Sequence, residues 1–143
     1  MTGVSMVQPF HLAIPVTNLT DAEAFYGELL GCEKGRSDTQ WIDWNFFGHQ
    51  LVTHCVEAMP SPPAYNGVDD HAVPVPHFGV VLTMDDWQAL ASKLEAADTE
   101  FVIAPYIRFK GKPGEQATMF FKDPFGNALE FKAFADISQL FAS

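Results

Sequence analysis

Two histidines and one glutamate in this chain stand where a divalent ion could be held: His11, His77 and Glu130. Two imidazoles and a carboxylate make a facial set suited to Fe(II), Mn(II), Ni(II) or Zn(II), with positions left open for water or substrate. Each of the three lies in a stretch that alternates like a strand. In FHLAIPV, Phe10, Leu12, Ile14 and Val16 alternate with His11, Ala13 and Pro15; in HFGVVLT, Phe78, Val80 and Leu82 alternate with His77, Gly79 and Val81. A strand that packs its aliphatic face on a helix turns its other face away, so both histidines point opposite the helix side. Glu130 does the same in ALEFKAF, opposite Leu129, Phe131 and Ala133. An ionised carboxylate in a half-buried strand needs a cation or hydrogen-bond donors to offset its desolvation. A single histidine is more often structural than a ligand, and Glu130 has an ordinary alternative partner in Lys132 on its own face. The equivalent placement of two histidines, with a carboxylate on the converging face, tips the reading to a metal.

The elements that must position these groups form a repeat. Gln8 to Val16 predicts a strand. Asn18 to Asp21 supplies cap residues for a helix through Leu30, ended by Gly31, with Ala22, Phe25, Tyr26, Leu29 and Leu30 as its apolar stripe. Cys32 to Asp38 reads as a weak strand or loop, and Gln40–Phe47 and Gln50–Val56 as two strands about a Gly48-His49 turn. Glu57 to Pro76 carries five prolines and little periodicity, which predicts a linker or an ordered surface loop. The order then recurs: a strand over His77–Thr83, a helix from Asp85-Asp86 to about Ala97 buried through Trp87, Leu90, Ala91 and Leu94, and a strand over Glu100–Phe109. A turn at Gly111 to Gly114 leads to a hairpin, Thr118–Lys122 and Ala128–Phe134, about the turn residues DPFGN. The expected fold class is α+β: two βαβββ modules forming a curved mixed sheet around a metal-containing cavity. One domain spans 1–143, with module one at 8–57, a Pro-rich connecting loop at 58–76, module two at 77–134 and a short tail at 135–143.

Composition sets limits on function. With 143 residues and 13% aromatics, 13 of them Phe, the chain can fill a core. A net charge of −10 argues against nucleic acid or an anionic membrane surface as partner. MTGVSMVQPF lacks the basic and apolar regions of a leader, and no run approaches the roughly 20 apolar residues of a membrane span, so a cytoplasmic protein is expected. Cys32 and Cys55 are too few and too far apart for a disulfide framework and read as buried or half-buried thiols.

Aligning Gly48-His49-Gln50-Leu51-Val52 with Gly126-Asn127-Ala128-Leu129-Glu130 places Val52 where a fourth protein ligand would stand, which predicts an open site. Gln50 and His54 share the face of Val52. Gln50 and Val52 are therefore candidate substrate contacts and His54 a candidate acid/base. His49 and His71, the latter beside Asp69-Asp70, are expected in solvent, and of Trp41 and Trp44 only one can line the cavity.

FHLAIPV paired with PHFGVVL, the ending DPFGNALEF and the order His, His, Glu resemble the vicinal oxygen chelate superfamily of glyoxalases, bleomycin-binding proteins, fosfomycin-resistance thiol transferases and extradiol dioxygenases. At finer grain, WIDWNFFGHQLVTH, VPVPHFGVVL and GEQATMFFKDPFGNALEFKAF are similar to small bacterial proteins described as predicted extradiol-type dioxygenases. The resemblance implies His11, His77 and Glu130 as ligands of a divalent metal, Fe(II) first, with Mn(II), Zn(II) or Ni(II) as alternatives. It also implies a small substrate that chelates through vicinal oxygens, and a homodimer whose sites mix modules from two chains. Ring-cleaving members use a second-module histidine as acid/base, and this chain has none after His77. Tyr106 and Arg108, on the strand before the hairpin, or His54 would take that role. The alternatives are a redox-neutral isomerase, lyase or thiol transferase using the same metal, and a non-catalytic protein that sequesters a drug or metabolite.

Overall fold

The computed structural model describes residues 7–68 and 71–142. The chain divides into two compact units, Met1–Met59 and Pro60–Ser143.

The first unit runs β1 (His11–Val16), α1 (Leu19–Ala22), β2 (Glu33–Ser37), β3 (Trp41–Phe46) and β4 (His49–Cys55). Asn18 caps α1, its side-chain oxygen accepting from the Asp21 N–H at 2.9 Å. The helix widens into a π-helical stretch over Glu23–Leu29, with the Leu30 N–H bonded to the Phe25 carbonyl at 2.9 Å. Four strands form a mixed sheet in the order β1-β4-β3-β2, in which β1 and β4 are parallel and the hairpin partners antiparallel. Ile14, Val16, Ile42, Trp44, Leu51 and Thr53 are buried on one face, with Tyr26 tilted against Trp44. Thr53 is polar yet fully buried because its hydroxyl accepts from the Trp44 indole N–H at 3.1 Å. Within the weak Cys32–Asp38 segment, Glu33–Ser37 forms β2, an exposed edge strand, while Cys32 is buried.

The second unit repeats the plan with β7 (Val81–Leu82), α2 (Met84–Ala96), β8 (Phe101–Arg108), β9 (Gln116–Lys122) and β10 (Ala128–Phe134), in the order β7-β10-β9-β8. Thr83 caps α2, and Trp87, Leu90, Ala91 and Leu94 are its buried residues, as their spacing predicts. The Trp87 indole donates to the Phe131 carbonyl at 2.9 Å, tying α2 to the centre of β10. The β9–β10 turn is closed by the buried Asp123 carboxylate, which accepts from the N–H groups of Phe125 and Asn127 and from the Asn127 amide.

Two expectations need correction. The Pro-rich stretch, expected as a linker or an ordered surface loop, contains strands: β5 (Ala64–Val68) and β6 (His71–Val75) pair as an antiparallel hairpin within the second unit. Its prolines mislead because β5 and β6 form a two-stranded sheet, where Pro74 breaks no central ladder. Val73 of β6 is buried with Ile103, Phe120 and Ala128, so the hairpin packs on the face of the second sheet opposite α2. Asp69 and Asp70, expected beside His71, lie outside the described residues. The strand expected over His77–Thr83 is regular only at Val81–Leu82. Upstream, the chain still follows β10 through the Phe78 N–H to Ala128 O and the Glu130 N–H to Phe78 O, at 3.1 and 2.8 Å. His77 thus precedes the strand rather than lying in it.

Candidate metal and substrate site

The strand registers place the candidate residues in each unit. On β1, His11 lies directly beside Gln50 of β4, and Val52 is two residues farther along. In the second unit Phe78 is bridged to Leu129, so His77 comes level with Ala128 and Glu130 is again two residues farther along. Val52 and Glu130 thus hold matching positions, and the first unit carries an aliphatic side chain where the second carries a carboxylate.

His77 and Glu130 meet: Nε2 of the imidazole lies 3.3 Å from Oε1 of the carboxylate, with the two side chains 30% and 22% exposed. Their other polar atoms are committed elsewhere. The His77 Nδ1–H donates to the Pro74 carbonyl at 2.7 Å, and the Thr118 hydroxyl donates to Glu130 Oε2 at 2.6 Å. A carbonyl oxygen can only accept, so Nδ1 carries a proton, and Nε2 is the nitrogen that offers a lone pair when the ring is neutral. A bare nitrogen and a carboxylate oxygen at this distance repel unless a proton or a cation lies between them. Such anchoring of the far ring nitrogen by a carbonyl is the usual outer support of a metal-bound histidine. Phe120 sets its ring edge-on to the imidazole at 4.8 Å and fixes the ring plane.

In the first unit His11 has matching support, its Nδ1 2.8 Å from the Gln50 side-chain oxygen. Gln50, expected as a substrate contact, is there the orienting partner of His11. Among the described residues no group of three or more His, Cys, Asp or Glu side chains is gathered to hold a metal ion.

The same face of the second sheet brings in the other candidates of that unit. Tyr106 on β8 is level with Thr118 on β9, and Arg108 with Gln116, so Tyr106 lies beside the residue that holds Glu130. Both side chains are half-buried, with the Arg108 guanidinium 4.9 Å from the centre of the Phe109 ring. His54 is exposed, level with Trp41, and four residues beyond Gln50 on β4, about 13 Å along the strand. Trp41 shares the face of His54, whereas Trp44 is in the core. His49, expected in solvent, accepts the Phe10 N–H at 2.8 Å and fastens the start of β1. Val52 is buried.

Sequence reasoning missed Thr118, the Pro74 carbonyl and Gly79. Gly79 is level with Glu130, and a Cβ there would fall on the Glu130 carbonyl oxygen. An isolated glycine within an apolar strand pattern was the available sign of that close approach. A concavity of about 340 Å³ opens over this part of the sheet, lined by His77, Gly79, Val81, Glu130 and Lys132 among others.

The profile of the glyoxalase/bleomycin resistance protein/dioxygenase superfamily matches residues 8–131. The chain belongs to that superfamily. A glyoxalase/bleomycin resistance protein/dioxygenase from Alicyclobacillus acidocaldarius is 31% identical, with a TM-score of 0.73 over 93% of this chain and 96% of that one. The fosfomycin resistance protein FosX from Listeria monocytogenes shares the fold at 16% identity, TM-score 0.67, covering 97% and 98% of the two chains. A glyoxalase/dioxygenase from Nostoc punctiforme does so at 14% identity, TM-score 0.66, covering 94% and 100%. No curated protein sequence matches significantly. Among the described residues no helix is long and apolar enough to cross a membrane. In this glyoxalase/dioxygenase superfamily member, the His77–Glu130 pair offers an imidazole nitrogen and a carboxylate oxygen, donor types that suit a divalent ion.

Proposed function

We propose that the protein is a metal-dependent enzyme acting on a small substrate that chelates through two neighbouring oxygens, and that its reaction is of the extradiol dioxygenase type. The observation that carries the reading is the His77 Nε2 and Glu130 Oε1 pair, each anchored through its other polar atom and set 3.3 Å apart. The ion would be held by His11, His77 and Glu130, with His11 from the same chain or from the second copy in a homodimer. When bound, it supplies Lewis acidity to vicinal oxygens and, as Fe(II) or Mn(II), a route for electrons to O₂.

The chain's own groups do the rest. Thr118 holds one carboxylate oxygen so that the other stays turned to His77. Phe120 packs edge-on against the imidazole and limits how the ring can turn. Tyr106 is the favoured proton-handling residue, since its strand position adjoins Thr118, and Arg108 on the same face is suited to an oxyanion. His54 serves a more distant part of the substrate, because the strand carries it about 13 Å from Gln50.

The test is metal analysis of anaerobically purified protein, with His11→Ala, His77→Ala and Glu130→Ala variants, followed by O₂-uptake assays with catechols. About one Fe or Mn per chain, lost in all three variants, with O₂ consumed, is the expected result. Zn or Ni without O₂ uptake would replace the dioxygenase with a redox-neutral isomerase, lyase or thiol transferase. No metal under any loading condition would overturn the enzyme reading in favour of a sequestering protein.

A further inference from the structure

The pocket beside Glu130 contains one more charged group, Lys132. It is two residues beyond Glu130 on the same face of β10 and is half-buried in the pocket wall. Lys132 is the ordinary ion-pair partner for Glu130, yet both carboxylate oxygens turn elsewhere, to Thr118 and to His77. The Lys132 ammonium is 5.7 Å from the centre of the Phe134 ring, and among the described residues no carboxylate is in ion-pair reach of it. Acids outnumber bases in this chain by 18 to 8, so a pocket ammonium without a carboxylate partner is out of keeping with the composition.

We propose that Lys132 is a specificity-determining residue that binds an anionic group, such as a carboxylate, on the substrate. The inference deepens the proposed function and rests on its placement of the chelating oxygens at Glu130. Two residues of strand separate Glu130 from Lys132 by about 7 Å, which sets the spacing between the chelating oxygens and the anion. An ammonium reads a carboxylate as a point charge, so Arg substitutes for it and Met does not.

The experiment compares catechol with 3,4-dihydroxybenzoate, which adds a carboxylate to the same vicinal oxygens. Binding to Zn(II)-loaded protein is measured by calorimetry for the wild type, K132M and K132R, and Zn(II) content is measured in each. Wild type is expected to bind the carboxylated probe about tenfold more tightly than catechol, a ratio that falls to about one in K132M and persists in K132R. Zn(II) content is expected to be equal in all three, which also shows that K132M folds. A ratio near one in the wild type, or a ratio that K132M leaves unchanged, overturns the proposal. If the wild type takes up no Zn(II), the chelate reading fails on its own. The same ratio, followed by amide NMR shifts of β10 in metal-free protein, then decides Lys132, and no preference for the carboxylate overturns it.

Discussion

Thr118 shows how one hydroxyl can govern a carboxylate. It is 3% exposed, so its 2.6 Å bond to Glu130 is shielded from competing water, and without it Glu130 can rotate away from His77. Thr118→Val keeps the volume and removes the donor. It is expected to weaken metal binding about 10- to 100-fold by competition with a chelating dye, while Thr118→Ser restores most of the loss. No loss in Thr118→Val together with a loss in Thr118→Ser would mean that packing of the methyl group, not the hydrogen bond, matters. The sequence made Glu130 conspicuous as a carboxylate among apolar neighbours, but Thr118 is an ordinary strand residue until the register of β9 and β10 is known.

At the scale of elements, two devices hold β10 in place. Asp123 closes the β9–β10 turn by accepting three hydrogen bonds while 5% exposed, and Gly126 adopts a φ of 93° that favours glycine. Asp123→Ala leaves those donors unmet and is expected to cost about 2–4 kcal/mol in urea unfolding. Gly79 lets the segment before β7 lie against Glu130. Gly79→Ala forces backbone from backbone, with an expected cost of about 3 kcal/mol and reduced metal content, because His77 and Glu130 then separate. Normal stability in that variant would show that the segment shifts without cost. Elsewhere on this face, the β5–β6 hairpin contributes Val73 to the cover over Phe120 and the Pro74 carbonyl that fixes His77.

For the whole molecule, the unequal repeat sets stoichiometry. Both units carry an anchored histidine, but Val52 stands where the second unit has Glu130, so metal titration is expected to saturate at about one ion per chain. Two ions per chain would require a carboxylate that the alignment of the units does not supply. If the proposed ion is bound, its removal with EDTA is expected to lower Tm, since a ligand held only by the folded state stabilises it. The charge of −10 acts over the same scale: self-repulsion weakens as salt screens it, so Tm is expected to rise as NaCl goes from about 0.02 to 0.3 M. An unchanged Tm would mean that the acidic side chains are already too far apart to interact.

The sequence by itself determined the repeated βαβββ order, the faces on which His11 and Glu130 lie, and the aliphatic residue at Val52. Those follow from local rules: the alternation of strands, caps such as Asn18 and Thr83, and the turn chemistry of DPFGN. Only the tertiary structure decided that the proline-rich stretch pairs as a hairpin, that Gln50 orients His11, that Pro74 and Thr118 anchor His77 and Glu130, and that Lys132 stands in the pocket wall without a carboxylate partner among the described residues. Each of these depends on which strands become neighbours and at what register, and pairing between residues distant in the chain leaves no periodic mark in either partner alone.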